Sequence, residues 1–471
     1  MNNGSNDSAA MSSVDLAWLR MERPTNPMMV VGVLTLATPL RLAAVRAVLA
    51  SQLSRYGRLL QKPVDGVLGG RWERDAEFNL NDHVCPLKLA GHAGQSELEA
   101  AVSKLASTPL NPKRPMWQFH VVAKYRKGSA VIVRIHHCYA DGMALVRLLL
   151  SLTNLPRVPL PDASVAVPHD PAAASCNALL EPVMHATGSI VQGTLDLWAS
   201  GLHIAAHPDL AMQRAQQGVA FGSELAKMLA LSNDPLTPMK GPLSSRKQLS
   251  WSAPLPLEEV KTISRALGCT INDALLSTIA GALGAYLRHR QYNTDHVVLR
   301  ALVPVNLRPA DSPVELGNYF GLVFVDLPVG MRNPLARLYA VHHSMEALKQ
   351  SPQAMLAYWM LTTVGALPRV VEDYTLEMLT AKASIVVSNV IGPPQALYFA
   401  GARIDQLFFW VPQAGSIGTG ISALTYNNQV HFGVMADRNL ITEPAVIVAK
   451  FNDEFEKLVL CTITGITAES P

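Results

Sequence analysis

Two neighbouring histidines open the segment of this chain whose residue types best suit catalysis. The segment runs from His136 to Gly142 and reads HHCYADG. A neutral imidazole with one nitrogen held by a hydrogen bond can take a proton near pH 7 on the other. Asp141 could orient such a ring, or anchor the turn through an arginine, and Gly142 permits backbone geometry that other residues resist. The pattern indicates acid–base chemistry, although histidines at a strand end are more often structural.

The flanking residues place this motif at the end of a strand. Residues 129–135 form a short apolar run rich in β-branched residues, and the residues after Gly142 have helical periodicity. Open α/β sheets place reacting groups at the carboxyl ends of strands. Because side chains alternate along a strand, we expect only one of the two histidines to face a given cleft.

A second histidine pair, His342 and His343, lacks this setting. Apolar residues around it recur at helical spacing, and no glycine occupies the last position of the motif. We interpret the second pair as non-catalytic.

Other catalytic routes find little support. The sequence has no G-x-S-x-G elbow, no G-x-x-x-x-G-K-[ST] loop and no H-E-x-x-H pair. Cys138 could be a nucleophile, but its neighbours give no reason to prefer that role to packing. The 5 cysteines are scattered, so neither a disulfide framework nor a zinc site is predicted and a reducing compartment is expected.

Composition excludes several classes of protein. Charged residues make up 16% of the 471 positions and hydrophobic residues 49%, which excludes disorder for most of the chain. The net charge of +3 and the absence of a dense basic stripe argue against a nucleic-acid partner. No run resembles the ~20 apolar residues of a spanning helix, although the mean hydropathy of +0.18 is compatible with an interfacial or lipid-handling protein.

Proline-rich stretches divide the chain. They predict a domain carrying the motif at 13–155, a proline-bounded helical linker at 156–245 and a second domain at 246–471. The polar, almost uncharged start of the sequence predicts a frayed tail at 1–12. Both large blocks mix strand and helix patterns, which predicts two α/β units of comparable size.

Short elements inside these blocks have clear patterns. Strands are predicted at 28–36 and 297–305, and helices at 257–267 and 271–290. The pair Asn427-Asn428 sits between alternating segments, as a hairpin turn would.

Four further segments accompany the motif: PLNPKRPMW (109–117), TINDALLS (270–277), VPVNLR (303–308) and VVSNVIGPP (386–394). With HHCYADG they resemble the PLDxxRPLW, TINDVVLA, VPxxxR, SNVPGP and HHxxxDG elements of the bacterial wax ester synthase/acyl-CoA:diacylglycerol acyltransferases. That family lies within the superfamily of chloramphenicol acetyltransferase-like and condensation-domain enzymes. The resemblance extends over about residues 12–458.

The resemblance implies a fold and an activity. Two chloramphenicol acetyltransferase-like α/β domains would face each other across a central channel and be joined by the helical crossover linker. The activity would be transfer of a fatty acyl group from acyl-CoA, a co-substrate, to a long-chain alcohol, giving a wax ester, or to diacylglycerol, giving triacylglycerol. No cofactor or metal is expected, because the thioester is already activated.

The resemblance also implies roles for individual residues. The family's second histidine is the general base and corresponds to His137, with His136 as a buried support. A direct ternary transfer needs no covalent enzyme intermediate. Asp141 is expected to pair with an arginine, for which Arg308 is the candidate.

Polar residues outside the motif complete the expected site. Asn272 and Asn389 are candidate donors to the oxyanion, with helix or turn capping as the alternative. Thr270, Trp117 and Arg114 are candidates for the substrate channel, and the last two are expected mainly to position the strand that enters the site.

Three positions depart from the family pattern: Met29 replaces a histidine, Asn111 replaces an aspartate, and Ile391 interrupts SNVPGP. The first two could alter acceptor preference.

Two other functions remain open at this stage. One is a condensation-type acyltransferase that uses a carrier-protein thioester, and the other is a catalytically silent lipid-binding scaffold; a hydrolase is a third and weaker option. A cytoplasmic protein associated peripherally with a membrane or lipid-droplet surface is expected, and the sequence does not predict the oligomeric state.

Overall fold

The computed structural model describes residues 8–53, 55–66, 69–153, 222–308, 316–367 and 369–464. Most of the predicted linker lies outside these residues; its described part begins with helix α6 over 222–230. The predicted tail is partly structured, because Ser8–Ala10 forms strand β1.

Strand β1 belongs to a small sheet of three strands in the order β1-β4-β3. The other two strands of this sheet are β3 (Gln61–Gly66) and β4 (Gly69–Arg74).

The first large sheet has six strands in the order β13-β14-β2-β7-β6-β5. Their bounds are β2 Met29–Leu36, β5 Val84–Pro86, β6 Trp117–Tyr125, β7 Gly128–His136, β13 Tyr398–Phe399 and β14 Ala402–Trp410. Every residue of β2 and β7 is buried, as expected of continuous apolar runs that are covered on both faces. Helices of the same block are α1 Ser13–Arg20, α2 Leu42–Leu53, α3 Leu80–His83, α4 Gln95–Ala106 and α5 Gly142–Ser151, with a 3-10 turn at Gly57–Leu60.

The sheet of the first block is completed by the second block. Strand β14 pairs antiparallel with β2, from Trp410 opposite Val31 to Ile404 opposite Leu36. The predicted domain boundary at residue 246 assigns β14 to the second domain. The sequence of β14 has no local signal that it joins the sheet of the first.

The second large sheet has the order β11-β10-β12-β15-β16-β8, with β9 also paired to β16. Its strands are β8 Lys247–Trp251, β9 Leu255–Pro256, β10 Leu299–Asn306, β11 Phe320–Leu327, β12 Ile385–Ile391, β15 Thr419–Tyr426 and β16 Gln429–Asp437. The helices are α7 Leu257–Leu267, α8 Ile271–His289, α9 Pro334–Lys349, α10 Gln353–Gly365, α11 Arg369–Thr380 and α12 Pro444–Thr464. Two mixed α/β domains, as predicted, are thus present.

The predicted hairpin turn is confirmed. Asn427 and Asn428 join β15 to β16, and their φ angles of 50° and 57° are both left-handed. Asparagine tolerates this conformation better than most residues, and a two-residue turn of this kind matches the twist of the flanking strands.

Among the helices in the described ranges, no single one is long and apolar enough to cross a membrane. Helices α7 and α8 meet those criteria only when taken together, and they are bent by 101° at the break between them.

Candidate active site

His137 follows the last residue of β7, and its main chain is held on both sides. Its N–H donates to the carbonyl of Met28 at 2.7 Å, and its own carbonyl accepts from Asn318 Nδ2 at 2.8 Å. The imidazole stacks on the indole of Trp18, with the ring centroids 4.0 Å apart and the planes at 21°. These contacts fix one orientation of the ring.

The ring of His137 is buried and uncharged. Nδ1 is a buried atom with no hydrogen-bond partner among the described residues, so Nε2 is the nitrogen that remains for the cavity that His137 lines. Burial, with the neighbouring His136 as a second cause, lowers the pKa of His137 to about 3. The imidazole is therefore neutral at physiological pH and can accept a proton.

His136 points elsewhere, as strand alternation predicts. It does not line the cavity; its Nδ1 accepts the N–H of Cys138 at 3.2 Å, and its Nε2 lies 3.3 Å from a carboxylate oxygen of Glu22 without hydrogen-bond geometry. The same carboxylate accepts the N–H of Met28. His136 therefore supports the turn that carries His137.

Asp141 anchors the motif to the second domain. Its Oδ1 accepts from Arg308 Nη1 at 3.0 Å, the pairing expected from the sequence, and its Oδ2 accepts the N–H of Tyr319 at 2.9 Å. Asp141 also caps helix α5 through the N–H of Ala144. Its carboxylate does not contact the ring of His137, so it acts on the loop and not on the imidazole.

The glycine of the motif has a different role from the one expected. Gly142 is not among the residues with a left-handed φ, and an added Cβ would meet no atom within 4 Å. The open space beside it belongs to the cavity that Gly142 lines. The glycine that carries unusual backbone geometry is Gly317, with a φ of 138°, whose carbonyl accepts from Arg308 and from the N–H of Asp141.

A cavity of about 490 Å³ extends from His137 between the two domains. Its polar wall contains Thr270, Asn272, Asn306, Ser388 and Asn389. Its apolar wall is formed by Leu302, Val303, Leu322, Val323, Met345, Leu348, Val386 and Val411. A largely apolar pocket with a few convergent polar groups is typical of a ligand site.

Asn272 and Asn389 meet in this cavity. Asn389 Nδ2 donates to Asn272 Oδ1 at 2.6 Å. No hydrogen bond within the described ranges uses the amide nitrogen of Asn272, which can therefore face a ligand. Helix α8 is capped by Thr270, whose hydroxyl accepts the N–H of Asp273. The alternative that Asn272 is the helix cap is therefore wrong.

Trp117 and Arg114 do not line the cavity, so the structure does not place them in a substrate channel there. Trp117 is fully buried, and its indole N–H donates to the carbonyl of Leu59 at 2.8 Å. Arg114 is drawn away by ion pairs of 3.1 Å with Asp75 and 3.2 Å with Glu77. Both position the chain that enters β6.

Of the departures from the family pattern, only Ile391 lines the cavity. Met29 is buried in β2, with its sulfur 4.0 Å from Arg134 Nη1, and Asn111 accepts the N–H of Lys113 in an exposed turn. Neither contact gives a route to acceptor preference through this cavity.

Cys138 is unsuited to nucleophilic attack. It is completely buried, and burial raises the pKa of its thiol well above the ordinary range. A thiol that stays protonated is a poor nucleophile.

Sequence patterns missed three residues around His137. Trp18 stacks on His137, Phe320 has its ring centroid 5.6 Å from that of His137, and Asn318 bonds its carbonyl. Trp18 lies in helix α1, and its neighbours in sequence give no sign that it reaches the motif. Asn318 and Phe320 gave no signal either, because nothing local connects 316–320 with the motif.

This arrangement suits acyl transfer. A neutral imidazole, an amide donor and an apolar pocket meet where two domains face each other. The fold and site together fit an acyltransferase.

Comparisons with known proteins specify the family. Residues 11–275 match the profile of the wax ester synthase/diacylglycerol acyltransferase catalytic domain, and residues 316–459 match that of the WS/DGAT C-terminal domain. A Mycobacterium tuberculosis protein named as a probable diacylglycerol O-acyltransferase is 27% identical over 414 residues, which cover 86% of this chain and 85% of that protein.

Solved structures agree in fold. The wax ester synthase/diacylglycerol acyltransferase from Marinobacter aquaeolei VT8 superposes with a TM-score of 0.67 at 19% identity, over 97% of this chain and 100% of the other. The starter condensation domain of rhizomide synthetase, in complex with C8-CoA, gives 0.57 at 14% identity, over 98% and 97%. The chain belongs to the wax ester synthase/diacylglycerol acyltransferase family, and it is an acyltransferase.

Proposed function

We propose that this enzyme transfers a fatty acyl group from acyl-CoA to the hydroxyl of a long-chain alcohol or of diacylglycerol, with His137 as the general base. The observation that carries the proposal is the neutral, buried imidazole of His137 at the wall of an apolar cavity. The M. tuberculosis relative, named for diacylglycerol O-acyl transfer, supports the choice of acceptor.

The proposed reaction is a single displacement within a ternary complex. His137 Nε2 takes the hydroxyl proton while the oxygen attacks the thioester carbonyl and forms the new C–O bond. The tetrahedral intermediate then expels coenzyme A by breaking the C–S bond, and the imidazolium returns its proton to the thiolate. Protons balance without an enzyme nucleophile, which agrees with the high pKa of the Cys138 thiol.

The oxyanion of this intermediate needs a donor. Asn272 is our candidate, because Asn389 occupies its oxygen and leaves its Nδ2 for the ligand. One such donor contributes roughly 3 kcal/mol in comparable sites. Asn389 would act through Asn272, by fixing the orientation of its amide.

The acyl chain is assigned to the apolar wall formed by β10, β11, β12 and α9. These elements contribute aliphatic and methionine side chains to that wall, from Leu302 to Val386, with the ring of Phe320 beside them. Burial of a chain there is favourable by about 0.8 kcal/mol per methylene.

Substrates of this kind partition into lipid, so we expect peripheral contact with a membrane or lipid-droplet surface. Exposed apolar side chains near α11 are compatible with such contact: Leu367, Val370, Val371 and Tyr374. Flotation with vesicles that contain diacylglycerol tests it, and a protein that stays with the soluble fraction would contradict it.

The deciding experiment mixes purified protein with palmitoyl-CoA and either hexadecanol or diacylglycerol, and follows free thiol and ester product. Acceptor-dependent thiol release with matching ester is expected, together with a ranking of the two acceptors. Thiol release without ester would indicate a thioesterase. No reaction with either acceptor, but ester formation from an acyl carrier-protein thioester, would favour the condensation-type alternative.

A further inference from the structure

Asn318 lies behind the proposed base and contributes nothing to the cavity wall. It is buried, and it belongs to the segment between Gly317 and β11 of the second domain. Its amide nitrogen donates two hydrogen bonds of 2.8 Å, one to the carbonyl of His137 and one to Oδ1 of Asp15. The side chain therefore links the second domain to two separate elements of the first.

The orientation of this amide is fixed by its partners. Both atoms in front of Nδ2 are acceptors, a carbonyl oxygen and a carboxylate oxygen, so a flipped amide would place oxygen against oxygen twice. Asp15 is itself held, because it is buried in the first turn of α1 and its N–H donates to the hydroxyl of Ser12. A fixed Asp15 thus fixes the amide, and the amide fixes the carbonyl of His137.

The imidazole has few other restraints. Nδ1 has no hydrogen-bond partner among the described residues, and the carboxylate of the motif, Asp141, bonds to Arg308 and the backbone instead. The direction of Nε2 therefore depends on the ring's stacking contact with Trp18 and on the backbone at residue 137. Small displacements of a catalytic group lower the rate steeply, since attack needs near-ideal geometry.

We propose that Asn318, anchored by Asp15, is a positioning residue for His137. A residue of the second domain would then fix the orientation of the proposed base, which belongs to the first domain. This rests on the proposed role of His137 as base. Asn318 does not line the cavity; it holds the carbonyl of residue 137, and its side chain also interacts with the imidazole, which opposes the lowering of the His137 pKa by burial.

The test compares Asn318→Ala, Asp15→Ala and Asp15→Asn in the acyltransferase assay. The two alanine variants should lower kcat by about 10²-fold and leave KM for both substrates unchanged, because no cavity wall is altered. Asp15→Asn should retain wild-type kcat, since its amide oxygen still accepts from Asn318.

Ser129→Ala is the matched control. It removes a buried hydrogen bond of 2.8 Å to the carbonyl of Thr38 at the opposite end of β7 from His136. A thermal unfolding curve for each variant, with wild-type kcat in Ser129→Ala, separates lost stability from lost positioning.

Two results would overturn the inference. One is wild-type kcat in folded Asn318→Ala; the other is an equal loss of kcat in Asp15→Asn and Asp15→Ala, which would assign the effect to the charge of Asp15. If Asn318→Ala does not fold, the two Asp15 variants decide alone. An inactive wild-type protein would instead contradict the proposed function.

Discussion

The chain contains two pairs of adjacent histidines, and the two pairs lie in different surroundings. His136 and His137 follow a fully buried strand, and His137 faces the cavity between the domains. His342 and His343 lie within helix α9, where His343 is exposed and His342 bonds Asp273 at 2.7 Å through Nδ1. Neither residue of the second pair lines the cavity.

The comparison shows that the place of a histidine pair in the fold, and not the dipeptide itself, determines whether an imidazole can reach a substrate. At the strand end, burial keeps His137 neutral and leaves one ring nitrogen for a substrate. On the helix, His342 bonds a carboxylate at the start of α8 through Nδ1, and neither histidine of this pair lines the cavity where a substrate would lie. The interpretation of the second pair as non-catalytic agrees with this geometry.

The largest expected effect comes from replacing His137, the proposed base. His137→Ala should lower kcat by roughly 10²- to 10⁴-fold, the contribution of a positioned general base. His343→Ala, an exposed position on α9, is the matched control and should keep wild-type turnover of palmitoyl-CoA with its acceptor. Equal activity in the two variants would remove the distinction between the pairs.

A smaller loss of activity is expected from substitution of Asn272. Its neighbour in sequence, Asp273, bonds His342 of the second pair. Asn272→Ala should lower kcat by about 10²-fold, because the oxyanion loses a donor. Asn272→Asp should be worse, since a carboxylate repels the oxyanion while still accepting from Asn389. The control Asn293→Ala lies in an exposed turn. An Asn272→Asp variant as active as wild type would contradict the assignment.

The pH dependence sharpens the comparison further. Because the pKa of His137 is lowered to about 3, kcat/KM should show no acid limb near pH 6.5, the ordinary value for histidine. The unfolded chain does take up that proton below pH 6.5, so the free energy of unfolding should fall as pH drops from 6.5 towards 3. Rates from pH 8 to 5.5, measured where the protein stays folded, check this; a half-point near 6.5 would contradict it.

The smallest effect is expected from His342→Ala. It removes one hydrogen bond from Asp273, whose Oδ2 keeps the backbone N–H of Thr270. The free energy of unfolding should fall by about 1 kcal/mol with kcat/KM unchanged, as urea denaturation and the acyltransferase assay would show. A large loss of activity with little loss of stability would place the second pair in the chemistry after all.

Local patterns predicted what depends on neighbours in sequence. The strands β2, β7 and β10, the helices α7 and α8 and the turn at Asn427-Asn428 fall where periodicity and turn chemistry placed them. The pairing of Asp141 with Arg308 was not a local pattern, because 167 residues separate the two; the family resemblance offered Arg308 as the candidate.

Relations between distant segments could not be predicted in the same way. Nothing in the sequence around Trp18 or Asn318 shows that both meet His137, since 119 and 181 residues separate them from it. The expected role of Gly142 failed for a related reason: a glycine can leave space for a ligand as well as adopt a left-handed turn, and only the fold distinguishes the two.

The pairing of β14 with the sheet of the first domain has a consequence for biosynthesis. Residues of β2 leave the ribosome some 370 positions before the strand that covers them. Until Ala402–Trp410 is synthesised, the largely apolar β2 is an open edge of its sheet, able to pair with another nascent chain. We therefore expect fragments that end before residue 402 to aggregate rather than fold.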